Sequence, residues 1–312
     1  MNTIICFRQG GNNLRLGNTL VWVEQAINWC KRHDFTFWLP NAEQILGELC
    51  DDSSDVFSMP LNWEESIFYQ SEKFRGFLGR IVQSMNEVKE KDSVSDFAFA
   101  SSIIPEILAY IDPNGNTNWS EIPTDLVEFF KKHKLVIVND PYPFKFPDGH
   151  CNENLYLRPS KASIDFAKKS LNQNTNNIGI HIRQGDYKNW QGGRYYKDSA
   201  FYNELISSIF KKFENTDVNV FIAHNGEFEI SESNQQLLKN NQLLYSDNQL
   251  SDEIRDFLLL STSNILIAPL STFSQQALKW GQRNNYSSGK WVPIQSNSNI
   301  PDILDKVDFN LN

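Results

Sequence analysis

The chain has 312 residues, enough for two domains at roughly 100 to 200 residues each, and a composition of 40% apolar, 13% aromatic and 21% charged residues excludes a disordered or fibrous protein. Its formal net charge of −9 argues against non-specific binding to nucleic acid or an anionic membrane, so an anionic ligand must be gripped by a local group of cations. No apolar run approaches the roughly 18 residues of a membrane helix, and the opening MNTIICFR lacks the charged start and cleavage site of a secretory signal, so the expectation is a cytoplasmic protein with no transmembrane segment.

Residues 3–7 (TIICF) read as a strand, and residues 9–18 (QGGNNLRLGN) as a glycine- and asparagine-rich loop without regular structure. Leu20, Val23, Ile27 and Cys30 then recur at three- and four-residue steps, which predicts a helix over 19–33. Residues 35–39 (FTFWL), ended by Pro40, complete a β-loop-α-β unit of the kind that builds parallel sheets. The stretch 41–133 is mostly helical in pattern, clearest over 72–91 and broken near Pro105, Pro113 and Pro123. Residues 135–138 (LVIV) form a further strand. The segment with Pro141, Pro143, Pro147, Gly149 and Pro159 marks the domain boundary, giving domains 1–158 and 159–312.

In the second domain a helix over 160–171 precedes strands at 178–182, 218–223, 243–245 and 265–268. These alternate with helices at 199–213, 231–239, 252–260 and 272–280. The repeat predicts an α/β fold with a doubly wound parallel sheet, in which ligands bind beyond the carboxyl ends of the strands. That edge holds His181, Arg183, Gly185 and Asp186 after one strand, His224 and Asn225 after the next, then Ser246 and Asp247, and finally Ser271, Thr272, Phe273 and Ser274.

Residues 178–196 (IGIHIRQGDYKNWQGGRYY) carry the sharpest signal. An arginine directly after a strand can fork onto two phosphate oxygens while a nearby carboxylate orients it. The same residues also suit a β-turn with a structural Arg–Asp pair. Tyr187, Trp190 and the paired glycines that follow favour a ligand loop. In 265–281 (ILIAPLSTFSQQALKWG), hydroxyls open a helix at the positive end of its dipole, where phosphate binds; a plain N-cap at Ser271 or Thr272 explains the same residues. The loop 10–18 has neither a P-loop nor a dinucleotide fingerprint and also reads as a surface turn.

Asp247, or Asp252 and Glu253, could accept the N1–H and N2–H₂ donors of guanine; acids at a helix start more often complement the dipole, the reading favoured for Asp252 and Glu253. His224 reads as a strand-end histidine, with nucleotide contact as the alternative. Cys6, Cys30, Cys50 and Cys151 are too scattered for a disulfide framework or a zinc site. The chain contains no D-x-D, so no metal is expected at a nucleotide-sugar site.

Three motifs in order, RLGN (15–18), HIRQGD (181–186) and STFS (271–274), resemble the GT-B fucosyltransferase superfamily, in particular the α-1,2-fucosyltransferase family (glycosyltransferase family 11-like) and its bacterial relatives. The resemblance implies a GT-B-like architecture, with two Rossmann-like domains facing a cleft, GDP-fucose held by the C-terminal domain and a glycan acceptor by the N-terminal one. It further implies inverting, metal-independent transfer of fucose or a related deoxyhexose, with no cofactor beyond the GDP-sugar. By the same resemblance Arg183 neutralises the β-phosphate with help from Thr272 and Ser274, His181 and Asp186 organise the site, and Arg15 and Asn18 reach it from the N-terminal domain. The sequence departs from the motif at Gln184, where many α-1,2 members have a second arginine, and at Thr19, where a glutamine is often found. The residues themselves leave two other classes open: a sulfotransferase-like enzyme with an adenosine bisphosphate in the N-terminal loop, and a non-catalytic glycan- or nucleotide-binding relative.

Overall fold

The computed structural model describes residues 3–7, 15–39, 46–51, 98–101, 107–111, 122–133, 135–139, 157–171, 176–238 and 250–309. The chain divides into two compact units, residues 1–14 with 19–158, and residues 15–18 with 159–312.

The first unit is built on β1 (Ile4–Phe7), α1 (Leu16–Arg32), β2 (Thr36–Trp38), β3 (Ala98–Ser101), β4 (Ile107–Ile111), α2 (Thr124–Phe130) and β5 (Leu135–Asn139). Its sheet runs β2-β1-β5-β4-β3. β1 lies parallel to β2 and β5, with Ile4 opposite Thr36 and Leu135, while β3 pairs antiparallel with β4. Ile4 and Ile5 point to opposite faces yet both are buried, as expected of a strand covered on both sides. The α1 stripe of Leu20, Val23, Ile27 and Cys30 is buried, and Trp29 stacks on Phe35 at 5.4 Å.

Two expectations change here. Residues 41–133 are not uniformly helical, because 98–101 and 107–111 are strands; runs of four or five residues are too short for period to separate strand from helix. The helix expected over 72–91 lies outside the described residues. α1 starts at Leu16 rather than in residue 19, because the Leu16 N–H donates to the Glu253 carboxylate at 3.2 Å. That distant acid caps the helix start.

The second unit comprises α3 (Lys161–Leu171), β6 (Asn176–Arg183), two short 3-10 turns (Asp186–Lys188 and Trp190–Gly193), α4 (Ser199–Lys212), β7 (Val218–Asn225), α5 (Glu232–Leu237), α6 (Asp252–Ser261), β8 (Ile265–Pro269), α7 (Thr272–Arg283), β9 (Lys290–Ile294) and α8 (Ile300–Lys306). The four strands are parallel in the order β7-β6-β8-β9. α4 and α8 cover one face, where Ile178, Ile180 and Ile182 of β6 meet Tyr202, Leu205, Ile206, Val292 and Ile303 in a core. α3, α6 and α7 pack on the other.

β9 and α8 are additions to the sequence reading. Pro293 masks β9 in the sequence, but β9 is the edge strand, where a missing N–H is tolerated. The strand expected at 243–245 lies outside the described residues. From β6 the chain passes through α4 to β7 on one side, while β8 lies on the other. The strand order therefore reverses between β6 and β8, which opens the crevice where such sheets take ligands.

Candidate functional site

At that reversal lies a pocket of about 430 Å³, within the range of small-molecule sites. Its walls are Arg15, Gly17 and Asn18 from the start of α1, His181 and Arg183 from β6, Ala223, His224 and Asn225 from β7, Asp252, Glu253 and Asp256 from α6, and Thr272 and Phe273 from α7. All belong to the second unit, since residues 15–18 group with it.

Strand alternation sorts the β6 residues. Ile180 and Ile182 face the α4 core, so His181 and Arg183 face the pocket side. Arg183 is held on three sides. Its Nε and Nη2 fork onto Asp186 Oδ1 and Oδ2 at 3.1 and 2.8 Å, Nη1 donates to Ser271 Oγ at 3.2 Å, and the guanidinium lies 4.5 Å from the centroid of the Tyr187 ring. Tyr187 is itself anchored by donating its hydroxyl to the Leu270 carbonyl. The Arg183 hydrogen bond, reinforced by its charge and by that of Arg15 at 3.9 Å, holds the Asp186 carboxyl below the usual range.

His181 is buried, with Nδ1 2.6 Å from Ser274 Oγ and its ring 5.2 Å from that of Phe273. Burial, with the Arg183 and Arg15 charges adding to it, pushes its pKa down to about 3, so the imidazole is neutral at physiological pH. Its place is to hold the first turn of α7 against β6.

Ser271 takes the N-cap position of α7, but its side chain makes no capping bond and accepts from Arg183 instead. Thr272 donates its hydroxyl to Asn18 Oδ1. The plain N-cap reading therefore does not describe these hydroxyls. The first turn of α1 closes on the same place. A Cβ on Gly17 would lie 2.5 Å from both Cα and N of Phe273, so only glycine lets the two helix starts approach this closely. Two helix N-termini and two arginines meet at one wall, an arrangement that attracts anions.

Acids line the same pocket. Glu253 caps α1, Asp252 pairs with Arg255, and Asp256 is partly buried. Burial, helped by the Asp252 and Glu253 charges against the opposing Arg255, raises the Asp256 carboxyl to about 7. Asp256 is absent from the sequence reading, although three acids in the five residues DEIRD were there to be seen. Asn225 Oδ1 is buried with no hydrogen-bond partner among the described residues, an acceptor that a ligand donor would satisfy. His224 is exposed on the rim, its ring edge toward Phe228.

Not all the expected residues share the pocket. Asp186, Tyr187, Trp190, Ser271 and Ser274 do not line it, and Asp247 falls outside the described residues. Gln184 points the other way: it is buried, and its Nε2 donates to the Lys197 carbonyl and Ser199 Oγ, both at 3.3 Å. Among the described residues no group of three metal-ligating side chains occurs, and no helix is long and apolar enough to cross a membrane. Cys6, Cys30 and Cys50 are buried.

A parallel sheet with a ligand-sized pocket at its strand reversal defines a Rossmann-like α/β protein of the GT-B-like kind. No family model matches the sequence, and no curated protein does. Solved structures are similar. One is POFUT1 in its apo form, with a TM-score of 0.51 and 15% identity, covering 93% of this chain and 97% of that one. Another is POFUT1 in complex with GDP-fucose, with a TM-score of 0.51 and 14% identity, covering 88% and 93%. At this identity the likeness is one of fold.

Proposed function

We propose that the protein is an inverting glycosyltransferase that moves fucose, or a related deoxyhexose, from a GDP-sugar to a glycan hydroxyl without a metal. The observation that carries this reading is the fixed Arg183 guanidinium beside two converging helix starts, in one pocket with the carboxylates of α6. The cationic wall suits a diphosphate. The acids Asp252, Glu253 and Asp256 supply the acceptors that the N1–H and N2–H₂ donors of guanine require, whereas the corresponding edge of uracil or adenine presents a different pattern. The fold shared with POFUT1, one of whose structures holds GDP-fucose, is consistent with such a donor. Residues 159–312 with 15–18 are assigned to the nucleotide sugar and the rest of residues 1–158 to the acceptor side. The α-1,2 linkage is carried only by the motif resemblance.

In the reaction the bond from the sugar C1 to the β-phosphate oxygen breaks, and its electron pair leaves with GDP. The acceptor oxygen bonds C1 from the opposite face and gives up its proton to solvent. The departing phosphate gathers negative charge, which Arg183 neutralises from a geometry already fixed by Asp186, Ser271 and Tyr187. Both Asp186 oxygens are committed to that guanidinium, so Asp186 serves to orient it rather than to take the proton. Gln184, turned away from the pocket, subtracts no charge from it.

The test is turnover of GDP-fucose by wild type and Arg183→Ala. Removing one preorganised donor of this kind lowers turnover by roughly 100-fold or more. Arg183→Lys keeps the charge without the fork and should recover only part of it. Undiminished turnover by a folded Arg183→Ala protein would remove Arg183 from this role.

A further inference from the structure

Next to Arg183, outside the lining of the pocket, lies an aromatic shelf. Tyr187 touches the guanidinium, Trp190 stacks on Tyr187 at 4.8 Å with 28° between the rings, and Tyr195 lies 5.4 Å from Trp190. Tyr187 and Tyr195 are buried, but Trp190 is 38% exposed. Leu270, whose carbonyl anchors Tyr187, is 37% exposed. Of the large apolar side chains the described residues expose, only Leu237 lies elsewhere.

The backbone around the indole is unusual as well. Gln191, Gly192 and Gly193 follow Trp190 with φ of 49, 68 and 76°. A left-handed glutamine is unfavourable by about 1 kcal/mol and persists only where its surroundings enforce it. Here the turn keeps the indole on Tyr187.

We infer that the exposed surface of Trp190 is an acceptor subsite contributed by the second unit, on which a pyranose ring of the glycan stacks beside Arg183. The inference rests on the transferase reading and deepens it. A transfer between two substrates needs two sites meeting at one point. The pocket and the shelf adjoin at Arg183, which lines the pocket and touches Tyr187, on which Trp190 stacks.

The chemistry of the shelf selects a sugar over a protein or a lipid. A single exposed indole bordered by the exposed Lys188, Gln191 and Arg194 is too small an apolar area for either of those, which bury larger contiguous patches. A pyranose matches it. One face of the ring presents C–H groups whose positive edge suits the negative face of an indole, and its equatorial hydroxyls reach the polar fringe.

The test is saturation-transfer NMR with the methyl β-glycosides of galactose, glucose, N-acetylglucosamine and mannose on wild type, Trp190→Ala and Trp190→Phe, alongside the shift of the unfolding midpoint by GDP. Wild type and Trp190→Phe should bind at least one glycoside. Trp190→Ala should bind it about 10-fold more weakly, the loss typical of a truncated aromatic anchor, with the GDP shift unchanged as the measure of an intact fold. Binding of none of the four by wild type, or equal binding by Trp190→Ala, would overturn the inference. A wild type without a GDP shift would instead contradict the transferase reading, while the glycoside arm still decides the shelf.

Discussion

Two buried titratable residues give the site a pH signature. Asp256 is raised to about 7, above the ordinary 3.8. Between those values the unfolded chain gives up its proton while the folded protein keeps it, so native stability falls as pH rises and levels off above 7. His181 works in the opposite direction. Lowered to about 3 from 6.5, it stays neutral in the folded protein while the unfolded chain takes a proton, so stability falls as pH drops below about 6.5. Denaturant unfolding at pH 5 and pH 8 separates the two, because the difference between wild type and Asp256→Asn cancels the histidine. Asp256→Asn should gain more stability relative to wild type at pH 8 than at pH 5; an equal difference at both would contradict the shift. If the ionised carboxylate accepts guanine donors, GDP affinity of wild type, read by calorimetry, should fall as pH drops through 7, and Asp256→Asn should lose that dependence.

The elements were legible to different degrees. β6, β7, β8 and the helices between them stand out because long runs such as IGIHI and VNVFIA alternate with strongly periodic stretches. β3 and β4 did not, being too short for period to show, and β9 hides behind Pro293. The start of α1 was missed for a tertiary reason: its cap is Glu253, 237 residues away. Arg183, Asp186, His181 and the hydroxyls of 271–274 could be picked out because they cluster at strand ends. Whether those hydroxyls cap their own helix or serve neighbours was beyond the sequence, since Ser271 turns to Arg183 and Thr272 to Asn18. Gly17 is the sharpest test at this scale. Gly17→Ala puts a methyl 2.5 Å from the Phe273 backbone and should cost about 1 to 3 kcal/mol of stability, with a loss of GDP affinity as the helix starts part. A variant with wild-type unfolding midpoint and GDP affinity would mean that the contact is not required.

For the molecule as a whole, a chain of net charge −9 gathers Arg15 and Arg183 beside two helix starts, so the cationic character of the pocket is local rather than a property of the surface. The proline-rich stretch signalled a division, whereas the grouping of residues 15–18 with the second unit depends on contacts far apart in sequence. The central claim is that this pocket holds GDP through Arg183. It is tested most directly by thermal unfolding with GDP, UDP, ADP and adenosine 3′,5′-bisphosphate, with and without EDTA, on wild type and Arg183→Ala. A ligand at about 100 times its dissociation constant adds roughly 2.7 kcal/mol of apparent stability. Stabilisation of wild type by GDP above the others, insensitive to EDTA and lost in Arg183→Ala, is the expected result; no GDP effect, or a preference for the adenosine bisphosphate, would contradict the account.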